Sequence, residues 1–217
     1  MDAQRKKKEK EKEIDKIYAD LERLLPQVYG SDRIIVRGEG NLCAKVLIVG
    51  YVPSGQEIIM KRPFAGVNGR YLKEFFRLLG GIEREDVYMT YLCKFRPCRI
   101  SKDNTSTSRP PNKEETGLFL PFLYREIETV DPAVIIAFGN GVVGELVDGG
   151  SLAQFHGRPV ALYLKKRPYT LFALMHPSGA AFSAKAREEY LADADRLSRY
   201  LIAKGIANPK QSTPPAK

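Results

Sequence analysis

The sequence predicts an α/β fold built on a mainly parallel sheet covered on both faces, and three observations predict it. Short apolar runs rich in β-branched residues, KVLIVG at 45–50 and AVIIAFG at 133–139, read as strands buried on both sides. Between such runs lie segments of helical periodicity, among them YLKEFFRLLG at 71–80 and GLFLPFLYREIETV at 117–130. Strands and helices then alternate along the chain, as crossover connections over a parallel sheet require.

The elements follow in order. Ile14, Ile17, Tyr18, Leu21 and Leu24 recur at helical spacing, so a first amphipathic helix occupies 14–25 and stops at Pro26, with the charged run Arg5 to Lys12 as its solvated extension. KVLIVG is the first strand, and the helix at 71–80 carries its own glycine stop in Gly80. VYMTYLC at 87–93 is the next strand, followed by the helix at 117–130, the strand at 133–139 and a helix start in GVVGELV at 141–147. PVALYL at 159–164 and YTLFALMHP at 169–177 form two strands around the basic turn Lys165-Lys166-Arg167, before a last amphipathic helix over about 184–203. The polar, proline-bearing segment at 100–115 is a long loop, and NPKQSTPPAK at the end reads as disordered.

A chain of 217 residues with 43% apolar and 28% charged side chains suits one soluble domain with a substantial core. That domain is placed at 13–203, between a charged flexible extension at 1–12 and a disordered basic tail at 204–217. Of the net charge of +9, the extension carries +3 and the tail +3, so the domain itself is only mildly basic. Such a balance is a weak pointer to nucleic acid by itself. No run approaches the ~18 consecutive apolar residues of a membrane span, and the N-terminus has no apolar signal region, so a cytoplasmic monomer without membrane contact is expected. Cys43, Cys93 and Cys98 are odd in number and form no CxxC pair, which argues for free thiols and against a four-thiolate metal site.

Open α/β sheets bind their ligands beyond the carboxyl ends of the strands. Those segments are GYVPSGQE at 50–57, KFRPCR at 94–99, FGNGVVG at 138–144 and MHPSGAA at 175–181. Gly139-Asn140-Gly141-Val142-Val143-Gly144 has the glycine spacing of a dinucleotide site, but the strand after it runs into Lys165 instead of the ribose-binding acid. Phosphate contact at Gly139 and Asn140 survives as a reading. His176 ends a strand and precedes Pro177, Ser178 and Gly179, a shaped rim loop that favours function over structure, whereas His156 has no such setting. Glu57, beside Pro53, Ser54, Gly55 and Gln56, shares a second rim loop with Lys61, Arg62 and Phe64, a set suited to gripping a polyanion and stacking a planar base.

At these residues the sequence resembles the uracil-DNA glycosylase superfamily, most closely its thermostable, iron-sulfur-bearing fourth family. The first motif stands as Gly50, Tyr51, Val52, Pro53, Ser54, followed by Arg62, Pro63, Phe64, Ala65, Gly66 and Gly69, and the second as His176-Pro177-Ser178. The resemblance also runs through 83–97, 110–115 and 131–139, and covers roughly 36–203. It implies a three-layer α/β/α sandwich with a central, mainly parallel four-stranded sheet. It further implies a hydrolase that flips a deaminated base out of DNA and cleaves its N-glycosidic bond in base-excision repair, associated with the nucleoid when on DNA.

On that resemblance the histidine of the second motif, His176, stabilises the departing base as an oxyanion-type donor. Phe64 is the stacking wall, and Gly50, Tyr51, Val52 and Pro53 line the base with Tyr91. Glu57 orders water or supports the sugar cation, or else holds its loop through backbone amides. Ser54, Gly55, Gln56, Lys94, Arg96, Ser178 and Gly179 meet DNA. Four departures accompany the match. Tyr51 replaces a polar residue, Tyr91 replaces the asparagine that reads uracil, Phe95 and Phe119 replace two cluster cysteines, and Ala180 and Ala181 leave Phe182 as the nearest wedge. No metal and no cofactor are therefore expected. The competing reading is a nucleic-acid-binding protein that keeps the fold with weak or no base release.

Overall fold

Ile14, Ile17, Tyr18, Leu21 and Leu25 form the buried stripe of the first helix, α1 (Asp2–Tyr29). The computed structural model describes residues 2–30, 33–103, 105–165 and 167–208. α1 does not stop at Pro26. The ring removes one amide donor near the helix end, and the carbonyl of Pro26 still accepts from Gly30 N at 2.9 Å. The charged run expected as a flexible extension continues the same helix, where Lys10 Nζ donates to the carbonyls of Leu42 (3.1 Å) and Val130 (2.7 Å).

A two-residue strand, β1 (Glu39–Gly40), precedes β2 (Val46–Gly50), and two helices follow, α2 (Gly55–Met60) and α3 (Gly66–Leu78). Next come β3 (Val87–Tyr91), a small hairpin of β4 (Cys98–Ile100) and β5 (Ser106–Ser108), and α4 (Lys113–Val130). The hairpin reaches from Cys98 into the stretch 100–115 expected as a plain loop, where β5 lies. β6 (Val134–Phe138) leads into the short helices α5 (Asn140–Leu146) and α6 (Leu152–Phe155), then β7 (Pro159–Leu164), β8 (Arg167–Leu174), a 3-10 turn at Pro177–Ala181 and α7 (Ala184–Ala203).

The main sheet has the order β1-β3-β2-β6-β8-β7. β3, β2, β6 and β8 are parallel, and antiparallel β1 and β7 make the sheet six strands where four were expected. Alternate strand residues feed two apolar clusters, one per face. Leu47, Val49, Ile135, Ala137 and Leu171 pack under α1, α4 and α5, while Val46, Ile48, Ile136, Phe138 and Phe172 pack under α3 and α7. The result is a three-layer sandwich. The chain crosses from β2 to β3 over one face and from β3 to β6 over the other, which reverses the winding direction beside β2. No helix among the described residues is long and apolar enough to cross a membrane. Of the expected tail, 209–217 lie outside the described residues, and Asn208 N donates to Gly80 O at 2.8 Å.

Candidate active site

The four parallel strands end together and bring the two motifs into contact. Gly50 lies opposite Tyr91 in the β2–β3 register, Phe138 opposite Leu174 in β6–β8, and His176 follows two residues later. Phe64 sits among them. Its ring stacks on Tyr91 (centroids 5.0 Å apart, 20° between planes), runs parallel to His176 (6.3 Å, 14°) and meets Phe138 edge-on (6.2 Å). Phe64 adopts a left-handed backbone (φ +48°), costly for a side chain of this size. Surrounding groups hold it there. Arg84 donates to the carbonyls of Pro63 (2.6 Å) and Phe64 (3.0 Å), and a Cβ at Gly69 would lie 2.8 Å from the Phe64 carbonyl oxygen. That approach is the physical reason for the last glycine of the first motif.

Glu57 is fully buried at the third position of α2. It forms a reciprocal capping box with Ser54, whose amide donates to Glu57 Oε2 at 2.6 Å. Asn68 Nδ2 donates to the same oxygen (3.2 Å), and Tyr91 Oη donates to Oε1 (2.5 Å). With both oxygens occupied and none exposed, the geometry favours the loop-holding reading of Glu57 over contact with an attacking water. The Tyr91 hydroxyl also accepts from Phe64 N (3.0 Å). Burial first, then the Glu57 carboxylate, push its ionisation far above the ordinary phenol range, so it stays protonated.

His176 is the N-cap of the 3-10 turn. Its Nδ1 accepts from Ser178 N (3.2 Å) and lies 2.8 Å from Ser178 Oγ, whose hydroxyl is placed to donate as well. An Nδ1 held as acceptor leaves the proton on Nε2, so the ring is a neutral Nε2–H donor. Burial lowers its pKa from 6.5, opposed by the nearby Glu57 charge. Ser178, expected at a phosphate, is thus engaged in setting this tautomer. A Cβ at Gly179 would sit 2.8 Å from the Met175 side chain, so the turn closes tightly there.

The remaining expected contacts divide. Pro53 is buried, Val52 half-buried, and the backbone of Gly50 and Tyr51 is tied to Leu92 N (2.8 Å) and Cys93 N (3.0 Å). The Tyr51 ring packs on Gly141, where a Cβ would lie 2.5 Å from it. That packing explains the middle glycine of the pattern, Gly141, without a dinucleotide. Asn140 is used as a local cap, accepting from Leu152 N (2.9 Å), while Gly139 faces open space at φ +88°. Exposed Gln56 accepts from Val67 N (3.2 Å), and Arg96 reaches Ser108 Oγ (2.7 Å) with its guanidinium carbon 3.8 Å from a Cβ at Gly55. Phe182 is 86% exposed just beyond the second motif. Lys94, expected at DNA, does not face solvent. It is fully buried and paired with Glu126, so it cannot reach a phosphate. His156 Nδ1 lies 3.0 Å from the Asp193 carboxylate. Asn68 and Arg84, which position Glu57 and Phe64, carried no signal in the sequence beyond their polarity.

The iron-sulfur cluster implied by the resemblance does not fit these residues. Phe95 and Phe119 pack ring to ring (5.5 Å) with Tyr29 against Phe95 (5.4 Å), filling that region with aromatic carbon. Burial pushes the Cys93 thiol up to about 12, away from the thiolate a ligand must be, and Cys43 is exposed. Among the described residues, no three His, Cys, Asp or Glu side chains are placed to hold a metal ion. Anaerobically purified protein is expected to be colourless and free of stoichiometric iron. A brown sample with a charge-transfer band would overturn this.

A family profile for the uracil DNA glycosylase superfamily matches residues 37–196. A type-4 uracil-DNA glycosylase of Saccharolobus solfataricus is 28% identical over 176 residues, spanning 79% of this chain and 78% of that protein. The type-4 uracil-DNA glycosylase of Thermotoga maritima is 36% identical over 146 residues, spanning 66% and 70%. Among solved structures, Pedobacter heparinus SMUG2 matches with a TM-score of 0.48 and 16% identity over 75% of this chain and 76% of that one. The chain belongs to the uracil DNA glycosylase superfamily. Its enzyme class is accordingly that of hydrolases acting on N-glycosidic bonds.

Proposed function

We propose that this protein is a metal-independent, monofunctional DNA glycosylase that flips a deaminated base, uracil first, out of DNA and releases it by hydrolysis, acting as a monomer in base-excision repair. The observation that carries the reading is the fixed tautomer of His176 at the carboxyl ends of the strands. Its Nε2–H donates to the base carbonyl as the bond from sugar C1′ to the base nitrogen breaks and the base takes the electron pair. Water then adds to C1′, one of its protons balancing the anionic base. Glu57 fixes the loop that carries Phe64, and exposed Phe182 fills the gap left in the duplex. Base release from labelled oligonucleotides containing uracil, hypoxanthine or xanthine, single- and double-stranded, tests the proposal. Release of none of the three bases overturns it in favour of the second reading, a nucleic-acid-binding protein of the same fold with weak or no base release. One observation favours that second reading: Tyr91 covers Phe64.

The DNA track follows from the charges that remain free to meet phosphate. Lys94 is buried, and Arg109 is held by a two-pronged bond to Glu115 (2.6 and 2.7 Å), which leaves Arg96, Arg99 and Lys102 along the β4–β5 rim. Reversing Arg96 and Arg99 to glutamate is expected to lower the slope of log affinity against log salt by about 2, roughly one unit per contact. An unchanged slope in the double variant moves the track off this rim. The Lys165 turn is a poor substitute, since Lys165 pairs with Glu128 and the turn lies at the amino end of β8.

A further inference from the structure

We infer that the Tyr91 side chain occupies the slot meant for the flipped base and must leave before a base can bind. The inference rests on the glycosylase reading for what the slot is for, and on geometry for what fills it. Phe64 is 1% exposed, so the stacking wall is closed to a ligand, and of the two rings parallel to it Tyr91 lies nearer, at 5.0 Å against 6.3 Å for His176. Two hydrogen bonds latch that ring in place. Its oxygen accepts from Phe64 N as a base carbonyl would, and its hydroxyl proton goes to the Glu57 carboxylate. Gly50 is cut back to admit a planar group, since a Cβ there would come within 2.5 Å of the Tyr91 ring and 2.9 Å of Phe64.

Once Tyr91 swings out, the Phe64 amide and the Glu57 carboxylate are left as an adjacent donor and acceptor. The edge that matches them is a ring N–H beside a carbonyl. Uracil and hypoxanthine present that edge, whereas cytosine presents an unprotonated ring nitrogen beside an amino group. Tyr91 is in this sense a resident surrogate for a lactam base: it sets the rate of entry, and the two groups it uncovers set the class of base admitted.

The test uses the full chain with Tyr91→Asn, Tyr91→Ala and Tyr91→Phe. Calorimetry with free uracil and free cytosine reads the slot, and single-turnover uracil release from DNA reads the reaction. Tyr91→Ala and Tyr91→Asn are expected to bind uracil at least tenfold more tightly than the wild type, with no gain for cytosine, and to release uracil at least tenfold faster. Tyr91→Phe loses only the latch and is expected to show a smaller gain, about threefold. It also decides the matter if the smaller side chains fail to fold, because an unchanged uracil affinity in Tyr91→Phe then overturns the inference. Wild type that already binds free uracil as tightly as Tyr91→Ala overturns it as well. Enhanced uracil binding without base release by any form would sink the glycosylase reading and leave Tyr91 in the slot. Release by the wild type at a rate that all three substitutions leave unchanged, with no gain in binding, would keep the glycosylase and remove the surrogate.

Discussion

Replacing His176 by alanine is expected to slow single-turnover base release by about two to three orders of magnitude while changing DNA affinity little, the loss typical of one oxyanion-stabilising donor. The size follows from the tautomer. Ser178 holds Nδ1 as an acceptor, so Nε2–H already points away from the turn as a fixed donor and spends nothing on reorientation as charge develops on the base. The pH profile supplies an independent reading. Burial lowers the His176 pKa, so the ring is neutral at pH 7 and takes up a proton only below its ordinary value of 6.5. Protonation at Nδ1 would break the bond from Ser178 N. The acid limb of the rate profile is therefore expected below pH 6.5 and should vanish in His176→Ala. An acid limb above that value, or equal losses of binding and cleavage, would make His176 a structural residue.

How much of this was legible in the sequence depends on how local the determining interaction is. The strands VLIVG and VIIAF are apolar on both faces, and VYMTY is so but for Thr90, so composition alone marks them as central. β1 is two residues, Glu39 and Gly40, with no pattern to read, and it exists only because β3 offers an open edge. PVALYL was readable as a strand, and its closeness in the chain to β8 leaves only the antiparallel pairing open to it. The second motif was legible because His176 and Ser178 act within one turn. Tyr91 was identifiable as a departure, yet its ring orientation is fixed by Glu57, 34 residues earlier. Lys94 misled for the same reason. It stands in the basic run KFRPCR and looks like its exposed neighbours, while its partner Glu126 is 32 residues further on.

That pair carries the largest expected effect on stability. Glu126 and Lys94 are both fully buried, and the carboxylate gathers every donor around it. Tyr18 and Tyr88 hydroxyls donate to Oε1 (2.6 and 3.0 Å), Thr90 donates to Oε2 (3.0 Å), and the Lys94 ammonium pairs with the same oxygen. Lys94 also donates to Thr90 Oγ1 (2.9 Å) and to the Tyr91 carbonyl (2.6 Å), fixing the strand end from which Tyr91 projects. Lys94→Met leaves a buried carboxylate with hydroxyl donors but no counter-charge, and is expected to cost about 3 to 5 kcal/mol. Glu126→Leu should cost more, since it strands the ammonium and also removes the acceptor of two buried tyrosines, each unpaired group adding about 1 to 3 kcal/mol. The double variant Lys94→Met/Glu126→Leu is expected to be more stable than Glu126→Leu alone, because the second substitution removes the stranded charge that the first creates. Urea unfolding at constant m-value measures all three. An unfolding free energy of Lys94→Met within about 1 kcal/mol of the wild type would mean that the hydroxyls alone satisfy Glu126 and that the ammonium is dispensable to the fold.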